Sequence, residues 1–288
     1  MRNSLLRRFR YVLVAAPLTL AVGCGAVTAG PPEPVQPAPR AAVEPRNQPG
    51  VGPRTTGAAA VERAATEVEP NTIVGAVVLD RASGGRPLAI NADRQFRSAS
   101  LVKLLIAIDA LERGADGEDR RRLYQMLELS DDGLASEYWV RGGGPDIVVR
   151  TSAELGLTGT MPPEVRGQWG EVLVTPADVV RIYEYILDMP TADRALVVDA
   201  LASAPRVAAD GFDQHFGIPD GLGMRWAIKQ GWGNNDLAMV LHSTGLAGRD
   251  WRYLVVLLTE HPLGSDWGKS ANSVTAAAKA LHDLLPKA

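Results

Sequence analysis

The stretch Phe96-Arg97-Ser98-Ala99-Ser100-Leu101-Val102-Lys103 opens a helix-forming, apolar run that continues to Arg113. Ser100 falls where a helix N-cap or first-turn residue belongs, and Lys103 lies one turn further along the same face. A serine hydroxyl is a weak nucleophile until a base takes its proton. A lysine supplies that base only when burial or a neighbouring cation lowers its pKa. The helix N-terminus favours the negative charge that develops on the serine oxygen. Leu101, Val102 and Leu104 supply apolar surroundings. The same four residues also describe a capped helix with a surface lysine. Composition weighs against that reading: of 30 basic residues only five are lysines, yet lysine stands where a titratable amine is required and arginine would fail.

Outward from this stretch, Ala58 to Glu69 has a helical pattern ended by Pro70, and Thr72 to Asp80 is an Ile/Val-rich strand. A Ser-Gly-Gly turn leads to a weaker strand, Pro87 to Asn91. From Gly114 to Gly223 the signals are helical, broken at Ser130, Gly142-Gly143-Gly144, Pro162-Pro163, Pro190 and Pro205. Thr175-Pro176 starts a helix in which Val179, Ile182, Ile186 and Leu187 show helical spacing. Strands return at Met224–Lys229, Asp236–Thr244 and Trp251–Thr259. A last amphipathic helix, Ser270–Leu285, carries Val274, Ala278, Leu281 and Leu285 on one side. Short loops between the last strands imply antiparallel neighbours. The pattern predicts an α+β fold, an antiparallel sheet flanked by helices with an inserted all-helical lobe. The domain spans 58–288, with a sheet lobe from 58–99 and 223–288 and a helical lobe over about 104–222. Ser100 lies at the cleft between them.

The N-terminal residues read differently. Arg2, Arg7, Arg8 and Arg10 form a basic region before the apolar segment Tyr11–Val22, which is short for a membrane span. Ala21-Val22-Gly23-Cys24 looks like a bacterial lipoprotein signal of actinobacterial type, making 1–23 a signal peptide and Cys24 the lipidated residue. Cys24 is the only cysteine, so no intrachain disulfide forms. Eight of the twenty prolines fall between Pro31 and Pro53, so 24–57 reads as a disordered linker. These features predict export and lipid anchoring on the outer face of the cell membrane. The chain carries a formal charge of −3, and loss of the four leader arginines makes it more acidic. That balance argues against nucleic acid or anionic lipid as the main partner. No Gly-x-Ser-x-Gly elbow is present, which argues against a hydrolase triad using His215, His242, His261 or His282; the four histidines also lack metal-site spacing, and no cofactor or metal is expected.

Two further elements join the Ser-x-x-Lys tetrad: Ser130-Asp131-Asp132 in a helix break, and Lys229-Gln230-Gly231 on a returning strand. In this order they resemble the motifs of the serine β-lactamases and penicillin-binding proteins, with class A β-lactamases and D,D-peptidases most alike. Phe96 four residues before the serine supports the likeness. So do the Asn235–Val240 segment and the run Leu155-Gly156, Glu164, Thr175-Pro176, which is similar to the family's Ω-loop. The resemblance implies that Ser100 attacks an acyl carbonyl and that Lys103 takes its proton directly or through a water on Glu164. It implies that Ser130 relays a proton to the leaving atom beside Lys229, and that the backbone N–H groups of Ser100 and Trp232 hold the oxyanion. Asp132, Gln230, Gly231 and Trp232 would meet the substrate.

The departures concern substrate reading. Asp132 replaces an amide-bearing residue, Gln230 replaces a hydroxyl, and Asn234 stands about where an arginine for a substrate carboxylate is common. The implied activity is an exported serine acyl-enzyme hydrolase acting on an amide, ester or β-lactam, with a small-molecule or peptidoglycan-like substrate. The alternative is a weakly active or inactive relative that binds a cell-wall component or protein. Oligomeric state is not legible.

Overall fold

A computed structural model describes residues 53–285. The expected signal peptide, Cys24 and the linker up to residue 52 lie outside the described residues. Helix α1 (Pro53–Val68) begins inside the stretch read as linker. It is followed by the hairpin β1 (Ile73–Asp80) and β2 (Gly85–Ile90). Three long strands come much later: β5 (Trp226–Asn234), β6 (Ala238–Ala247) and β7 (Tyr253–Pro262). They complete one antiparallel sheet in the order β2-β1-β7-β6-β5. Between the two groups lie the paired short strands β3 (Phe96–Arg97) and β4 (Leu173–Val174) and the helices α2 (Val102–Glu112), α3 (Gly117–Glu128), α4 (Asp132–Arg141), α5 (Pro145–Leu155), α6 (Pro176–Asp188), α7 (Thr191–Ala202) and α8 (Ile218–Leu222). Helix α9 (Trp267–Lys279) follows the last strand. The architecture is the expected α+β arrangement with helices inserted into an antiparallel sheet.

Both faces of the sheet are covered. On one, α1 and α9 pack Val61, Ala65, Val274 and Ala278 against Val78, Val255 and Leu257. On the other, α2 and α6 bury Leu104, Ile108, Val179 and Ile186 against Val77 and Val256. Double coverage explains why β1 and β7 are apolar almost without interruption rather than alternating. Among the described residues, no helix is long and apolar enough to cross a membrane.

Three local features aim the site. First, α2 is buried on nearly every side, from Val102 to Leu111, so a lysine on it has no route to solvent. Second, the edge of the Phe96 ring packs on Gly75, where a Cβ would sit 2.5 Å from Phe96 Cε2, and this close approach ties β3 to the sheet. Third, Gly231 lets β5 approach the turn before α2; a Cβ there would lie 2.9 Å from the Ser98 carbonyl oxygen.

Candidate active site

Ser100 does not cap α2 as its position in the sequence implied. It lies in a 3-10 turn, Ala99–Leu101, entered through Ala99 at φ 44°, and no side chain caps either helix start there. The turn leaves the hydroxyl free to face Lys103, and Lys103 Nζ lies 2.6 Å from Ser100 Oγ.

Ser130 follows α3 at φ 55°, a left-handed conformation uncommon for a residue with a Cβ. The next two residues divide two tasks. Asp131 caps α4 by accepting from Leu134 N, while Asp132, the first helical residue, turns its carboxylate to Lys103 Nζ at 2.6 Å. Ser130 Oγ lies 3.4 Å from Lys103 Nζ and accepts from Lys229 Nζ at 2.8 Å. One continuous chain of polar contacts therefore runs Ser100–Lys103–Ser130–Lys229.

Both lysines are sequestered, with Lys103 at 0% and Lys229 at 1% exposure. Burial pushes the Lys103 amine below the usual lysine range, and the Asp132 carboxylate works against that fall. Lys229 is driven well below that range, first by burial and then by the charge of Lys103. Two ammonium groups sharing one serine in a dry setting repel, so the pair favours a neutral amine. The Trp169 ring lies 4.7 Å from Lys103 Nζ and shields it further.

Ser100, Asp132, Trp169, Glu171, Trp232 and Asn234 line a cavity of about 230 Å³. Several expected site residues sit otherwise than the sequence implied. Glu164 is solvent-exposed and is not among the cavity residues; the loop carboxylate at the cavity is Glu171. Glu171 is itself held by Arg97 Nη1 at 2.8 Å and Asn235 Nδ2 at 3.1 Å. The cause is the path of the loop, which places Trp169 beside Lys103 and leaves Glu164 outside. Gln230 does not face the cavity either. Neighbouring strand residues point to opposite faces, so with Lys229 turned inward the Gln230 amide turns away, donating to Gln214 O and Phe216 O. Gly231 acts through its backbone approach to Ser98, not through a side chain. The Asn235–Val240 segment is a turn followed by the start of β6.

Sequence reading missed the Arg97–Glu171–Asn235 clamp, although Arg97 lies within the decisive stretch. It also missed His242, fully buried, whose Nε2 contacts the Arg97 carbonyl at 2.7 Å and so supports the strand leading into Ser100. Trp169 and Trp232 line the cavity, and Trp139 is core. Among the described residues, no cluster of His, Cys, Asp or Glu suits a metal ion.

Residues 59–145 match the model of the "Beta-lactamase enzyme family". The chain is 35% identical over 217 residues to "Putative lipoprotein LppW" of Mycobacterium tuberculosis, covering 71% of this chain and 68% of the relative. The chain belongs to the serine β-lactamase and penicillin-binding protein superfamily. Solved members share its fold at low identity. A penicillin-G acyl-enzyme of PBP-A is 17% identical with a TM-score of 0.64, covering 82% of this chain and 98% of that one. The β-lactamase of Streptomyces albus G is 18% identical with a TM-score of 0.61, covering 78% and 99%. In this chain the lysine of the first motif meets the Asp132 carboxylate, and the middle side chain of the third motif, Gln230, faces away from the cavity.

Proposed function

We propose that this chain is an exported, lipid-anchored serine acyl-enzyme hydrolase acting on an amide or ester substrate of the cell envelope. The observation that carries the reading is the buried Lys103 amine 2.6 Å from Ser100 Oγ. Neutral Lys103 takes the Ser100 proton as Oγ bonds to the carbonyl carbon. The backbone N–H groups of Ser100 and Trp232 receive the oxyanion. Collapse breaks the bond to the leaving nitrogen or oxygen, which takes a proton from Ser130. Ser130 recovers a proton from Lys103 or Lys229. Hydrolysis of the ester formed on Ser100 regenerates the hydroxyl.

Intact-mass measurement after treatment with a fluorophosphonate tests the reading. One adduct on the wild type and none on Ser100→Ala supports it. No adduct with fluorophosphonate, ester or lactam probes overturns it in favour of a binding protein. One observation favours that second reading: among the described residues, the only glutamate at the cavity, Glu171, is paired with Arg97 rather than free to orient water.

Three outcomes follow for the hydrolase. Glu164→Gln should leave deacylation within about twofold of wild type, because the side chain is exposed and outside the cavity. A large accumulation of acyl-enzyme in stopped-flow traces would restore Glu164 as the base. Penicillins should be turned over about a hundredfold less efficiently than neutral esters of similar size. The cavity offers their carboxylate no well-exposed cation, and a missing charge-assisted contact costs about 2–3 kcal/mol. Comparable kcat/KM values for the two classes would refute this. Cys24→Ser should move the protein from the membrane fraction to the medium, read by fractionation, with the domain's melting temperature unchanged. Retention in the membrane would refute anchoring through Cys24.

A further inference from the structure

We propose that Asp132 selects acyl donors that carry an ammonium group close to the scissile bond, and that such a group, by taking the Asp132 carboxylate, releases Lys103 to act as the base. The inference rests on the serine hydrolase reading and concerns the same cavity.

The argument is one of exposure. The lysines beside Ser100 are buried, so a ligand in the cavity does not meet them as open charges. Arg97 is only 14% exposed at its side chain and is occupied by Glu171 and the Ala238 carbonyl. Asp132, by contrast, is 61% exposed at its side chain and lines the cavity. Its Oδ1 is on Lys103; no protein donor meets its Oδ2 among the described residues. Asp210 adds negative charge from the loop before α8, and it accepts from the indole nitrogen of Trp232 on the cavity wall. Buried cations and open carboxylates give a ligand an anionic surface to meet. A carboxylate-bearing donor is repelled there, and an ammonium-bearing one is attracted.

The same carboxylate is the brake on the base. A proton on Lys103 is favoured by Asp132 at 2.6 Å, with Asp131 and Asp210 assisting and the Lys229 charge opposing. An arriving ammonium competes for Asp132 and removes that support. The Lys103 proton then leaves along the 2.6 Å contact to Asp132, whose exposed carboxylate passes it to water, and the free amine accepts the Ser100 hydroxyl proton in the following step. Substrate charge and base activation are thereby linked, and a donor without the cation binds a site whose lysine is still held.

The test compares glycyl and β-alanyl thioesters with their isosteric propionyl and butyryl thioesters, each rate divided by that thioester's hydroxide-catalysed rate. In wild type the amino donors should acylate with kcat/KM about fivefold higher, the scale of one exposed ion pair. The advantage should shrink with added salt. In Asp132→Asn the ratio should fall to near one, whatever the absolute rates. No preference in wild type, or a preference that survives Asp132→Asn, overturns the proposal. A second arm separates it from the catalytic reading: on Ser100→Ala, β-alaninamide should bind more tightly than butyramide in an NMR titration, and the difference should vanish in Ser100→Ala/Asp132→Asn. If wild type forms no acyl adduct with any probe, the hydrolase reading fails, and this binding arm alone supports or overturns the cation selectivity.

Discussion

In Lys103→Arg, acylation of Ser100 should fall by about a thousandfold, the usual worth of a positioned general base. The substitution keeps the positive charge, so the ion pair with Asp132 has a partner of the same sign and similar reach. What it removes is the ability to accept a proton, since arginine stays charged throughout the working range. Lys103→Ala should lose as much, although it also strands Asp132. In the wild type, acylation should rise with pH as Lys103 loses its proton. Burial sets that limb below the ordinary lysine range, and Asp132 holds it higher than burial alone would. The limb should be missing from Lys103→Arg. Single-turnover acylation across pH, followed by intact mass, reads both effects. Wild-type rates in Lys103→Arg would make the lysine structural and send the search for a base elsewhere.

The second large effect is loss of stability in mild acid. His242 and His261 are buried, and burial lowers each imidazole from 6.5 to about 4. Their nitrogens are engaged as neutral rings: His242 with Arg97 O and Thr259 N, His261 with the hydroxyls of Thr72 and Thr259. The unfolded chain binds the extra protons between about pH 6.5 and 4, so stability is full above this window and is lost as pH falls through it. Near pH 5 each ring should cost about 2 kcal/mol. Glu112 acts in the opposite sense. Burial raises it to about 7, so its protonation favours the fold as pH falls, but most of the group is reached by solvent and its share is discounted. The net expectation is a lower urea midpoint near pH 5 than near pH 7.5, with the difference reduced in His261→Gln. An unchanged midpoint, or a slope that persists in the variant, would refute it.

What could be read in advance depended on how local the physics was. Ser100 and Lys103 are three residues apart on one chain segment, so helical spacing alone brings them together. Thr175 and Pro176 mark the start of α6 by their own chemistry, and Thr175 does cap it. Ser130 and Lys229 came from motif order and not from any local rule, because 99 residues separate them. The orientation of Gln230 was implicit in strand alternation once Lys229 was assigned inward. Glu164 was chosen for the base and Glu171 lies at the cavity instead, because the loop holding both has no period and its path depends on where Trp169 packs. The role of Asp132 was half visible. The loss of an amide was plain, but the contact with Lys103 required the third dimension.

The hairpin of β1 and β2 meets its other neighbour only when β7 exists. Val77 lies opposite Val256, roughly 180 residues later, and no strand in between pairs with β1 except β2. On a ribosome the hairpin emerges long before the strand that completes it, and everything carrying Ser100, Lys103 and Ser130 is made in the interval. The sheet that supports the nucleophile is therefore completed late in synthesis. Under the export reading proposed above, late completion of the sheet would leave the nucleophile without its support until the last strand has been made.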